Sequence, residues 1–89
     1  MREVWKFEIA PFDYNSILMP KDSEILTVQT QGESIQIWAL CDPNLQKEER
    51  IFRIAGTGHP INDNDELHYI NTFQLNNGKL IFHVFEVIN

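Results

Sequence analysis

Apolar and polar residues alternate along this chain in short runs, broken by glycine, proline and asparagine, which is the two-residue period of half-buried strands. The clearest case is "HYINTFQLNNGKLIFHVFEVI", residues 68–88, where two β-rich runs flank Asn77-Gly78. That pair suits the positive φ values of a type I′ turn. A turn centred there sets Leu75 against Leu80, Phe73 against Phe82, Asn71 against Val84 and Tyr69 against Glu86. On the opposite face it sets Gln74 against Ile81, Thr72 against His83 and Ile70 against Phe85. The Phe73–Phe82 face is expected to be core. The other face is also apolar (Ile70, Ile81, Phe85, Val87), which predicts a cover there too, from the N-terminal segment or another subunit.

A second hairpin is expected in "SEILTVQTQGESIQIWALCD", residues 23–42, turning at Gln31-Gly32 or Gly32-Glu33. Both turns give the same faces, because the two registers differ by two. Leu26, Val28, Thr30, Ile35, Ile37, Ala39 and Cys41 form the expected core face. Ile25, Thr27, Gln29, Gln36, Trp38 and Leu40 form the mixed one. "EVWKFEI" (3–9) puts Trp5, Phe7 and Ile9 on one side, "SILMP" (16–20) is an edge strand ended by Pro20, and "RIFRIAGTG" (50–58) sets Phe52 and Ile54 against Ile51, Arg53 and Ala55. "DPNLQKEE" (42–49) opens on a turn signal and holds one helical turn at most. No segment keeps a 3.6-residue period over ten residues. The expected fold is all-β and mainly antiparallel: a small sandwich or partly open barrel of six to seven short strands in a single domain, residues 1–89.

Composition supports a folded core: 43% of the 89 residues are hydrophobic and ten are aromatic. The net charge of −6 repels nucleic-acid phosphates, and Lys47, Arg50 and Arg53 are interrupted by Glu48 and Glu49, so no nucleic-acid partner is expected. The single cysteine excludes an intrachain disulfide. No apolar run is long enough for a leader or a membrane span, so no membrane partner is expected, and the expected location is the cytoplasm. Free strand edges invite pairing between copies, and a homo-oligomer is expected.

The densest polar stretch is "AGTGHPINDNDE", residues 55–66. Its Gly-x-Gly is followed by His59-Pro60 and no helix pattern, so it matches neither the dinucleotide nor the phosphate-loop fingerprint. "NDNDE" (62–66) fails the calcium-loop pattern in both frames and reads as a solvated turn. His59, His68 and His83 lack metal-ligand spacing, so neither a metal nor a cofactor is expected. His83 is read as a hydrogen-bonded strand residue opposite Thr72. Cys41 falls on the core face and reads as a small buried hydrophobe. No nucleophile and base stand in a recognisable arrangement, and the chain is expected not to be an enzyme. The residues best placed to hold an anion are Arg53, Thr57, Gly58 and His59, with Trp38 or Tyr69 to stack on a base.

Several stretches together, "VWKFEI", "ILMP" with "EILTVQTQ", "IWALCDP", "ERIFRIAGTGHPI" and "YINTFQL" with "LIFHVFE", resemble a family of small proteins encoded by tailed bacteriophages. "WAL-x-DP" and "GTGHPI" are the most specific of them. In that family an aliphatic residue often fills the position of Cys41, in keeping with its core reading. The resemblance implies an accessory protein acting in the cytoplasm of the infected bacterial host, where proteins of this size often counter host defences. It brings no residue role with it. The first expectation is therefore a non-catalytic protein that sequesters a small anionic ligand such as a signalling nucleotide. The alternatives are an inhibitor of a host enzyme, acting through the acidic surface or a sheet edge, and a structural or housekeeping phage protein.

Overall fold

A computed structural model describes residues 1–11 and 13–88. Phe12, one of the ten aromatics, lies outside the described residues. Seven strands follow in order: β1 (Glu3–Ile9), β2 (Tyr14–Pro20), β3 (Glu24–Gln31), β4 (Ser34–Cys41), β5 (Lys47–Gly56), β6 (Leu67–Leu75) and β7 (Leu80–Val87). They form two antiparallel sheets, one ordered β1-β4-β3 and the other β2-β5-β7-β6. The sheets are not closed into a barrel. They face each other across one core of Ile9, Val28, Ile35 and Ile37 from the first and Met19, Phe52, Ile54, Phe73 and Val84 from the second. Phe52 and Met19 are fully enclosed; burying a side chain of that size stabilises by about 2–3 kcal/mol relative to exposure.

The β6–β7 hairpin turns at Asn77-Gly78, with φ of 55° and 83°, and the Lys79 N–H donates 3.1 Å to the carbonyl of Asn76. Leu75–Leu80, Phe73–Phe82, Thr72–His83 and Asn71–Val84 oppose each other as the pattern predicts. Beyond Asn71 a bulge resets the register, so Tyr69 faces Phe85 and His68 faces Glu86. The pairs expected there, Tyr69 with Glu86 and Ile70 with Phe85, do not form. An unbulged strand would turn the Tyr69 hydroxyl into the core. The bulge sends Tyr69 outward against the Phe85 ring, centroids 5.6 Å apart, and packs Ile70 partly against the core.

The β3–β4 hairpin turns at Gly32-Glu33, with Gln31 opposite Ser34 and Gly32 at φ 63°. Its core face is as expected from Val28 onward. A second bulge between Ile25 and Thr27 reverses the start of β3: Leu26 is 45% exposed, and Ile25 packs on the core in its place. The 42–46 link is a turn whose Leu45 N–H reaches the Asp42 carbonyl, and Lys47–Glu49, expected in the loop, already belong to β5. The N-terminal strand pairs with β4 and leaves the outer face of β6–β7 uncovered, with Ile81 39% exposed.

Two asparagines stitch the sheets together. The Asn71 side chain accepts from the Val28 N–H at 2.7 Å and donates to the Val28 carbonyl at 2.6 Å, joining β6 to β3. Asn15 does the same for Ala10, accepting at 3.0 Å and donating at 2.9 Å, where the chain passes from β1 to β2. Each carboxamide presents one donor and one acceptor, as a neighbouring strand does. At one end of the core, Arg50 donates to both carboxylate oxygens of Glu86, at 2.6 and 2.7 Å, and to the Ser23 carbonyl at 2.5 Å.

Candidate functional site

Strand β5 runs out at Gly56, and residues 56–59 make a tight turn closed by the His59 N–H on the Gly56 carbonyl at 3.0 Å. Gly58 holds φ +86° there, a backbone state that side chains disfavour. Gly56 is needed for space: a Cβ would sit 2.8 Å from Cε1 of the His59 ring, so the imidazole folds back over a strand end that must lack a side chain. The 62–66 run continues as an Asx turn, Asn64 N–H to Asn62 Oδ1 at 2.9 Å, as a solvated turn requires.

Arg53 does not reach outward to an anion. It is 5% exposed, and its guanidinium donates to the Asp13 carbonyl and carboxylate, both at 3.3 Å, to the Ile54 carbonyl and to the Pro60 carbonyl at 3.1 Å. It also lies 5.4 Å over the Tyr14 ring. Its donors are committed to holding the 57–66 loop against β5. The loop is pinned a second time where the Tyr14 hydroxyl donates to Asp65. That hydrogen bond, aided by the neighbouring negative charge, raises the Tyr14 phenol above its ordinary value.

Thr57 and His59 line a cleft of about 330 Å³ with Gly56, Lys79, Leu80, Ile81 and Phe82. Lys79 takes the cationic position expected of Arg53. It arrives there because β5 pairs with β7, Gly56 opposite Phe82, and that long-range pairing left no mark in the sequence. The Thr57 hydroxyl lies 2.7 Å from Nε2 of His83, and Nδ1 of His83 lies 2.9 Å from the Thr72 hydroxyl. The Thr72–His83 opposition was readable from the hairpin pattern; their link to Thr57 was not. Tyr69 joins them, its hydroxyl 2.8 Å from that of Thr72. Trp38 does not join. It stands on the outer face of the three-stranded sheet, opposite Lys6 and Thr27, and is half-buried there. The structure thus puts Thr57 and His59 in the cleft lining with Gly58 in the same turn, links Tyr69 to Thr57 only through Thr72 and His83, and holds Arg53 and Trp38 apart.

No curated protein and no solved structure matched the chain. A family model matches residues 1–89, and the chain belongs to that family, described as a domain of unknown function (DUF7352).

Proposed function

We propose that this chain is a non-catalytic binding module that captures a small anionic ligand, such as a signalling nucleotide, in the cleft beside the 56–59 turn. The observation that carries the reading is a single cleft lined by Lys79, His59 and Thr57 with no carboxylate in its lining. In a chain of net charge −6, a cleft with a lysine and no carboxylate in its lining offers an anion a local attraction. Leu80, Ile81 and Phe82 give the same cleft an apolar wall, suited to the uncharged part of such a ligand. The resemblance to tailed-phage proteins supports reading this capture as sequestration that counters a host defence in an infected bacterium.

Calorimetry and thermal shift against cyclic and linear nucleotides test the reading. A ligand should bind with release of heat and raise Tm, and Lys79→Ala should weaken it about tenfold, the worth of one charge-assisted hydrogen bond. Absence of heat and of any thermal shift across the whole panel would overturn it.

A further inference from the structure

The cleft hydroxyl of Thr57 is the end of a file of hydrogen bonds running across the outer face of the four-stranded sheet. Ala55 on β5, His83 on β7 and Thr72 on β6 stand side by side. The short Ala55 side chain leaves His83 free to meet Thr57, two residues further along. The file runs Thr57 to His83 at 2.7 Å, His83 to Thr72 at 2.9 Å and Thr72 to Tyr69 at 2.8 Å.

The protons in this file have few arrangements. A neutral imidazole donates through one nitrogen and accepts through the other. With the proton on Nδ1, His83 donates to Thr72, and Thr57 must donate to Nε2. Thr57 then turns only lone pairs to the cleft. With the proton on Nε2, His83 donates to Thr57, whose own hydrogen is released to the cleft, while Nδ1 accepts from Thr72 and Thr72 from Tyr69. In the imidazolium both nitrogens donate, and Thr57 again donates into the cleft. An anion on Thr57 excludes the first arrangement. Of the other two it favours the imidazolium, which adds a positive charge behind the hydroxyl.

We propose that His83 is a proton-linked positioning residue of the anion cleft: anion binding puts a proton on Nε2 and favours the imidazolium, in which Nε2 donates to Thr57 and Nδ1 to Thr72. The inference rests on the anion-binding reading of the cleft. The other titratable groups around the file are Tyr69 on β6, Lys79 and His59 in the cleft, and Arg53 on β5. Arg53 is turned away onto Asp13 and Pro60. His59 is the other imidazole at the cleft, so it needs its own control.

Sulfate is a suitable probe, because its charge is constant between about pH 5.5 and 8, where imidazoles titrate. It is titrated into the whole chain while backbone and imidazole nitrogen resonances are followed. Thr57, His59 and Lys79 should shift, the His83 ring signals should move toward the imidazolium pattern, and affinity should rise about tenfold as pH falls through that window. His83→Gln can still hydrogen-bond both hydroxyls but cannot take up a proton, and it should flatten the pH profile. His59→Gln, which removes a cleft residue, should weaken sulfate throughout and keep the part of the slope that His83→Gln removes. Thr72→Val, which keeps the Thr57–His83 contact, should lower affinity mainly at the alkaline end, where the tautomer is no longer held. A wild-type pH profile in His83→Gln would overturn the inference and leave the cleft standing. Sulfate that moves none of the three cleft residues at any pH would overturn the cleft reading, and this inference with it.

Discussion

The carboxamide of Asn71 meets both backbone groups of Val28 at 2.6–2.7 Å, and Val28 itself is fully buried. Removing it leaves an N–H and a C=O unpaired at a dry seam, each costing on the order of 1–3 kcal/mol, less what water recovers at the edge of the sheet. Asn71→Ala should therefore lose about 2 kcal/mol in urea unfolding, or about 10 °C in Tm for a domain of this size. Asn71→Asp keeps the acceptor, loses the donor and faces a carbonyl with a carboxylate. It should be the worse variant at neutral pH and recover in acid, a contrast that simple loss of packing does not produce. Sequence alone shows Asn71 as a polar residue on a core-facing row, which marks it as unusual but names no partner, since β3 and β6 are joined only through tertiary packing. Arg53 is the opposite lesson. An arginine three residues before a glycine turn invites an anion, yet its four hydrogen-bonded oxygens all belong to the chain itself.

At the scale of elements, the two hairpins were legible because their information is local. Asn77-Gly78 and Gly32 name the turns, and two-residue alternation names the faces. Both misreadings begin at bulges, beside Ile70 and at Leu26, where one extra residue flips every position beyond it. What drives each bulge is a choice between faces, the Tyr69 hydroxyl at one and the Ile25 side chain at the other. That choice is decided by the opposite sheet, which alternation does not contain. Gly78 permits a direct check on the turn: Gly78→Ala forces a side chain to φ +83° and should cost about 1 kcal/mol with strand content unchanged by circular dichroism. The 57–66 loop makes its own prediction. Tyr14 has its phenol raised first by the hydrogen bond to Asp65 and then by burial and the nearby negative charge. The stability this contributes is complete below the ordinary tyrosine range and is lost as pH rises through the elevated value, when phenolate and carboxylate repel. Alkaline titration followed by tyrosinate absorbance should show one late-titrating tyrosine. Tyr14→Phe should remove that step and weaken the pH dependence of unfolding above about pH 10.

For the whole molecule, the all-β sandwich follows from the spacing of the runs, whereas the partition into three and four strands does not. Strand β5 sits between β2 and β7 rather than beside β4, a non-local arrangement that also delivers Lys79 to the cleft. The Arg50–Glu86 pair ties β5 to β7 and, through the Ser23 carbonyl, to the start of β3. Its side chains keep only 18% and 14% of their exposure, and Glu86 holds the guanidinium above its ordinary value. Removing either partner strands a charge in a largely dry place. Glu86→Leu should cost about 3 kcal/mol, and the double variant with Arg50→Met should be more stable than Glu86→Leu alone, because no charge is then left unpaired. A double-mutant cycle in denaturant measures this.

The seam asparagines also bear on growth. A sheet extends when a bare edge offers consecutive N–H and C=O groups to an arriving strand. Asn71 occupies the middle of β3, and Asn15 caps the exit from β1, so each seam carries a stop at which further pairing must break off. The same two side chains that tie the sheets together thereby interrupt the edges they cover. Freed of Asn71, β3 becomes a template, and solutions of Asn71→Ala should gain dye-binding, fibre-like assemblies at concentrations where the parent chain stays clear.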